Sequence, residues 1–251
     1  MRYRILAVLF TFIILPISGN LFAQDATEII RQMDEKMRGE SLESEMSMTI
    51  VRPNWERTIS MKSWVRGNEY SLILITSPAR DEGTAYLKRG NEIWNWVPSV
   101  GRTIKMPPSM MMQSWMGSDF TNDDLVRESS VVTDYEHELV GEETIEGREC
   151  YKIQMTPKPD APVVWDRVDV WVSKDEYLQL RSEFYDEFGD LINVMKGMNV
   201  KEFDGRMIPA RMEMIPQDKE GHKTVIEYQS MEFNESIPES FFSVQNMRRV
   251  Q

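Results

Sequence analysis

The 251-residue chain holds a single cysteine, Cys150, and two histidines, His137 and His222. One cysteine excludes an intramolecular disulfide, so the fold must rest on its core. Cys150 sits in Glu149-Cys150-Tyr151-Lys152-Ile153, a strand pattern with no cation arranged beside it, and reads as a small buried hydrophobe and not a reactive thiol. His137 lies in Tyr135-Glu136-His137-Glu138 and His222 follows Gly221 in a turn; neither has another ligand at zinc-binding spacing. The chain also lacks a Gly-rich phosphate loop, a GxSxG elbow and an HExxH helix. No catalytic residue, metal or cofactor is assigned, and the protein is read as no enzyme. Basic residues are scarce, 29 Lys and Arg against 41 Asp and Glu. That balance argues against nucleic acid and against an anionic membrane surface as partners. Linkers, repeats and low-complexity tracts are missing too, which leaves a single domain.

No apolar run is long enough to span a bilayer comfortably, which takes about 20 residues. The longest, Ile5 to Ile17, follows Arg2 and Arg4 and precedes Gly19-Asn20-Leu21-Phe22-Ala23, the order of a secretory leader. Residues 1–23 are therefore expected to be cleaved after Ala23, sending residues 24–251 to the periplasm. No cysteine follows the run, so a lipid anchor of the usual bacterial kind is not expected. The remaining 228 residues suffice for one β domain with a sizeable core. With Arg2 and Arg4 removed, 27 basic residues face 41 acidic ones, a net charge of −14.

What is present is strand periodicity. Ala26 to Met37 places Ile29, Ile30, Met33 and Met37 at helical spacing before Gly39, and predicts one opening helix. The period then changes to two. Met46, Met48 and Ile50 alternate with Ser47 and Thr49; Ile59, Met61 and Val65 repeat the pattern. Gly67-Asn68 marks a hairpin. Strands are predicted over 45–51, 57–66, 69–76, 84–88, 92–97, 102–106, 131–140, 150–156, 167–173, 178–185, 191–203, 207–215 and 223–233. Short Gly, Asn and Asp connectors such as Glu146-Gly147, Asp204-Gly205 and Glu220-Gly221 make the strands an antiparallel meander, because parallel strands need long crossovers. The predicted fold class is mainly β (α+β), a large curled antiparallel sheet covered by short helices.

One stretch, Pro107 to Leu125, breaks the rhythm and reads as a helical insertion lying over the sheet. Within it, Asp119, Asn122, Asp123 and Asp124 offer oxygen ligands for a cation, but helix N-termini draw the same residues and capping is the better account. Methionine is abundant, with 19 in the chain. Met adapts its shape and recurs where varied apolar partners bind. Met110, Met111, Met112, Trp115 and Met116 cluster beside Gly117 and suggest a mobile lid. Beneath it Met46, Met48, Ile50, Ile59, Met61, Leu72, Leu74, Trp94 and Trp96 are taken to line the sheet's apolar, lipid-binding face.

The run Gly83-Thr84-Ala85-Tyr86-Leu87, the run Trp94-Asn95-Trp96-Val97-Pro98-Ser99-Val100-Gly101-Arg102 and the run Met116-Gly117-Ser118-Asp119-Phe120-Thr121-Asn122-Asp123-Asp124-Leu125 resemble the outer membrane lipoprotein-sorting family related to LolA and LolB, as a divergent branch. Thr156-Pro157-Lys158-Pro159, Trp165, Tyr185-Asp186 and Ile208-Pro209 extend the resemblance along nearly the whole exported segment. It implies an unclosed half-barrel with a cavity for acyl chains, no catalytic residues, and an arginine on the sheet that latches the lid, for which Arg66 and Arg102 are the candidates. The partners expected are lipoprotein or lipid cargo and a membrane-embedded donor or acceptor complex, with the protein itself a monomer. Two other readings stand beside this one: an accessory subunit docking to a membrane transporter or envelope complex, and an envelope hydrolase working through Asp119, Asp123 and Asp124.

Overall fold

The structure, a computed structural model, describes residues 19–250 apart from 91, 127–129, 160 and 162. The predicted leader thus lies, up to residue 18, outside the described residues. Helix α1, Gly19–Arg38, is longer than the predicted Ala26–Met37 and stops at Gly39, whose positive φ of 62° and hydrogen bond to the Glu35 carbonyl close the last turn. Among the described residues no helix is long and apolar enough to cross a membrane.

Six strands follow as a meander: β1 (Ser41–Arg52), β2 (Trp55–Arg66), β3 (Tyr70–Ser77), β4 (Ala85–Arg89), β5 (Glu92–Val97) and β6 (Arg102–Lys105). Seven more form a second one: β7 (Tyr135–Ile145), β8 (Arg148–Pro157), β9 (Arg167–Ser173), β10 (Gln179–Tyr185), β11 (Leu191–Phe203), β12 (Arg206–Pro216) and β13 (Lys223–Phe233). The two meanders join where β1 pairs with β13, from Leu42 opposite Phe233 to Val51 opposite Lys223. One antiparallel sheet of 13 strands results, running from β6 at one edge to β7 at the other, and it is not closed into a barrel. Register shifts at Glu45/Met46, Ser60/Met61 and Phe184/Tyr185 bend individual strands and help the sheet to curl.

Strand β7 differs from its prediction of 131–140. A turn from Ser130 to Asp134, held by the Ser130 amide donating to the Asp134 carboxylate at 3.0 Å, delays its start to Tyr135, and a bulge at Leu139–Gly141 lets it run on to Ile145. Strands β10 and β11 approach so closely at Gly197 that an added Cβ would collide with the Gln179 carbonyl oxygen.

The concave face carries the core. Met46, Met48 and Ile50 point inward from β1, continued by Ile226 on β13 and Met212 and Met214 on β12. Ser47 and Thr49 turn outward, where the Thr49 and Thr58 hydroxyls meet across β1 and β2 at 3.0 Å. Helix α1 lays Ala26, Ile29, Ile30 and Met33 over Ile153, Met155, Val168 and Val170 of β8 and β9. On the opposite face of β2–β5 a C-terminal segment packs Phe241 and Phe242, together with Met247 of helix α3 (Val244–Met247), against Trp64, Leu72 and Leu87.

Candidate functional site

The insertion after β6 packs over the inner core cluster of the curled sheet. Its prolines end β6, and a short 3-10 turn spans Pro108–Met110. A helix was expected here; only α2, Asn122–Val126, forms one. Between the two, Met116 and Gly117 adopt φ of 52° and 83°, which an α-helix cannot accommodate, and a bridge pairs Ser114 with Thr121 instead. The strand-like bond from the Trp115 amide to the Phe120 carbonyl, 2.9 Å, folds the segment into a compact flap.

The flap is pinned by its apolar side chains. Trp115 is fully buried with its ring centroid 5.3 Å from that of Tyr86, and Met106, Met111 and Phe120 join it on the concave cluster. Met110 and Met116 pack against the same cluster half-buried. Met112 turns the other way and is 58% exposed, so it is no part of the inner lid surface. An aromatic side chain buries about 150–250 Å². At roughly 25 cal/mol per Å², Trp115 and Phe120 together hold the flap down by about 8–12 kcal/mol before ordering costs. Two features oppose this: the Trp115 indole N–H is buried without an acceptor, and Met116 occupies the left-handed region, at about 1–2 kcal/mol.

The polar fastening comes from Arg52, the last residue of β1. Its Nη1 donates to Asp119 Oδ2 at 3.0 Å and its Nη2 to the Gly117 carbonyl at 2.9 Å, while Nη1 also reaches the Val51 carbonyl at 2.8 Å. Thr224 on β13 completes the clasp, donating its hydroxyl to Asp119 Oδ2 at 2.7 Å and accepting from the Asp119 amide at 2.9 Å. The Arg52 and Asp119 side chains are only 11% and 7% exposed. Arg52 thus fastens the flap to the sheet. Arg66 instead reaches the Ile237 carbonyl of the C-terminal segment at 3.3 Å, and Arg102 stands exposed at the start of β6. Among the described residues, neither bonds to the flap.

Under flap and α1 lie two adjoining cavities of about 270 and 220 Å³, which share Met33, Phe120, Asp124, Val131, Gln179 and Met195 as walls. The first extends along Met46, Ile73 and Met212, past the facing pair Ser44 and Ser63, to Arg38 at the end of α1. Arg38 is 6% exposed and held by Asp34 at 2.8 Å and by Asn68. The second runs past Met155, Val168, Phe184 and Met214 to Tyr135 and Trp165. A larger depression, about 700 Å³, lies along β7 between Thr27, Glu138, Gln154 and Lys158; its walls are more polar than those of the other two.

Of the residues read as lining, Met46 borders the first cavity, and Met48, Ile50, Ile59 and Met61 lie in the same cluster beneath the flap. Leu72, Leu74, Trp94 and Trp96 do not share that face. They point to the other side of the sheet and are covered by the C-terminal segment, with Arg248 stacked 5.4 Å over Trp96. Strand β3 explains the inversion: Ile73 and Ile75 face the flap while Leu72 and Leu74 face away, so both faces are apolar. Met33, Met195, Met212, Met214 and Phe120 were missed as walls. The alternation of Met212 and Met214 carries the same period-two signal as Met46 and Met48.

The acidic residues of the flap serve separate ends. Asp119 is in the clasp, and Asn122 donates from Nδ2 to the Met110 carbonyl at 2.8 Å. Asp124 and Thr121 form a capping box: the Thr121 amide donates to Asp124 Oδ2 at 2.8 Å and the Asp124 amide to Thr121 Oγ1 at 3.1 Å. Burial pushes the Asp124 carboxyl above the usual carboxylate range, against the lowering effect of those bonds. No cluster of three potential metal ligands of the His, Cys, Asp or Glu type occurs among the described residues. His137 clips β7 to α1, its Nε2 donating to the Val131 carbonyl at 2.7 Å and its Nδ1 meeting Thr27 Oγ1 at 3.1 Å. Cys150 is buried, and burial raises its thiol.

An open antiparallel sheet, curled around an apolar cavity and closed by a latched flap, defines a LolA-like fold. A family model described as "Uncharacterized protein" matches residues 67–249, and the chain belongs to that family. Among solved structures, a DUF1329 family protein from Desulfovibrio piger is similar at 26% identity and a TM-score of 0.82, covering 90% of this chain and 99% of that one. A domain described as an outer membrane lipoprotein-sorting protein, from Vibrio parahaemolyticus, is similar at 20% identity and 0.80, with 90% and 100% covered. A LolA superfamily protein from Nitrosomonas europaea is similar at 25% identity and 0.75, with 88% and 98% covered. No curated protein matches the chain. The fold is therefore that of the lipoprotein-sorting proteins, on a divergent branch.

Proposed function

We propose that the protein is a non-enzymatic periplasmic carrier, exported with residues 1–23 removed, that shelters lipoprotein acyl chains or another lipid for sorting toward the outer membrane. The observation that carries this reading is the pair of Met-rich cavities bordered by Phe120 of a flap that is fastened through Arg52 and Asp119. Together the cavities fall within the range of about 300–1,000 Å³ usual for ligand sites.

Energetics favour exchange between flap and cargo. An acyl chain of about 15 carbons gains roughly 12 kcal/mol on leaving water, at about 0.8 kcal/mol per methylene. The flap's own aromatic burial is of the same order, so Trp115 and Phe120 compete with cargo for the concave face. The clasp then tilts the balance toward closure when the site is empty, and a membrane-embedded donor or acceptor that favours the open state would drive transfer. Incubating the purified protein with a diacylated lipopeptide and separating it by gel filtration tests this. Co-elution of the lipopeptide, competed by free fatty acid, is expected. A lipopeptide that never co-elutes, while the protein is retained on a transporter or envelope complex without lipid, would favour a docking subunit instead.

A further inference from the structure

The second cavity has a polar pole in otherwise apolar walls. Asp123 and Asp124 of α2 border it, with Tyr135, Gln179, Ser182 and Trp165, and no lysine, arginine or histidine does. Gln179 and Ser182 bond to each other, Nε2 to Oγ at 2.8 Å. Asp124 commits Oδ2 to its capping bond with Thr121, which leaves Oδ1 for the cavity. The Trp165 indole faces this carboxyl, yet its Nε1 is buried without meeting the geometry of a hydrogen bond. The indole thus stands close enough to lower the Asp124 carboxyl, but without a well-aligned bond of its own, so both groups can still take up a polar ligand atom.

Ligand chemistry can be sorted against that pair. A carboxylate or phosphate head would meet two buried acids and no cation, at a heavy desolvation cost. An ester or ether oxygen only accepts, and would answer Trp165 while leaving Asp124 bare. An ammonium only donates, and would leave Trp165 bare. A hydroxyl does both. Granting that these cavities are the cargo site, as the carrier reading holds, we infer that the second cavity selects a lipid bearing a hydroxyl, which donates to Asp124 and accepts from the Trp165 indole while the hydrocarbon runs along the shared walls at Met33, Phe120 and Met195.

Calorimetric titration of the purified protein with dodecan-1-ol, 1-methoxydodecane and dodecanoic acid tests this, because the first two differ only in the O–H donor. A hydrogen bond to a charged group predicts that the alcohol binds about tenfold or more tighter than the ether. Asp124→Asn keeps the side chain's shape and an oxygen for Thr121 but turns the cavity-facing acceptor into a donor, and should bring that ratio to about one. Trp165→Phe should weaken alcohol and ether alike, by about three- to tenfold, since both lose the indole donor. Equal affinity of alcohol and ether for the wild-type protein, or tightest binding of the acid, overturns the inference and leaves lipid carriage standing. Failure of all three to bind overturns carriage as well. The wild-type ratio decides the matter even where a variant does not fold.

Discussion

Replacing Arg52 by alanine removes the two charge-assisted bonds that tie the flap to β1, to Asp119 Oδ2 at 3.0 Å and to the Gly117 carbonyl at 2.9 Å. Such bonds contribute about 1.5–3 kcal/mol each. Asp119 keeps its bond from Thr224, and the freed Gly117 carbonyl regains water, so the net cost to the closed flap is about 2–4 kcal/mol. At 1.4 kcal/mol per tenfold, the open fraction rises from about thirtyfold to several hundredfold. Amide hydrogen exchange reads this directly, because exchange of a protected amide follows local opening. The reporters are the amides of Trp115, Ser118 and Asn122, bonded within the flap to Phe120, Trp115 and Gln113. Their exchange should quicken by that factor while amides of β12 stay unchanged. Arg66→Ala, on the other side of the sheet, should leave them alone. Flap amides that exchange at wild-type rates in Arg52→Ala would refute the clasp.

Trp115→Ala should destabilise the protein by about 3–5 kcal/mol, whereas Met112→Ser should change thermal stability by less than about 0.5 kcal/mol; equal effects would mean that the flap is not seated as described. Gly197→Ala should lower the melting temperature by several degrees, from about 1–3 kcal/mol of strain against the Gln179 carbonyl, and an unchanged melt would sink that assignment. Burial, aided by Lys158, lowers the His137 pKa against the raising effect of its bond to Val131, so the unfolded chain binds the proton first as pH falls. Stability from this site is therefore full above about pH 6.5 and declines as pH drops through the lowered folded value. Thermal melts between pH 8 and 5 should show that decline, and His137→Gln should flatten it.

Strand positions were legible because alternation and turn residues are local. Met46, Met48 and Ile50 announce one face of β1 by themselves, and Gly67, Glu146-Gly147 and Asp204-Gly205 mark the turns. The pairing of β1 with β13 was not legible, since nothing near Met48 encodes a partner as distant as Ile226. Leu72, Leu74, Trp94 and Trp96 were assigned to the wrong face for a related reason. When both faces of a strand are buried, period two cannot say which one lines the cavity, and the C-terminal cover of Phe241 and Phe242 is itself a long-range contact. Arg52 escaped notice because it sits one residue beyond the predicted strand 45–51, where it reads as a solvated turn residue. The flap's Met and Trp content pointed to its role, but its backbone is mostly turns, since Met116, Gly117 and Ser118 form no helix. Capping by Asp124 was readable from Thr121-Asn122-Asp123-Asp124 alone.

The central claim is that the Met-lined cavities hold lipid. Native mass spectrometry of the protein purified from its native cells, with organic extraction of whatever is bound, addresses it most directly. The account predicts a stoichiometric lipid or acylated peptide, retained by wild type and altered in occupancy by Arg52→Ala. A mass equal to the bare polypeptide, unchanged after incubation with lipoprotein, would contradict it.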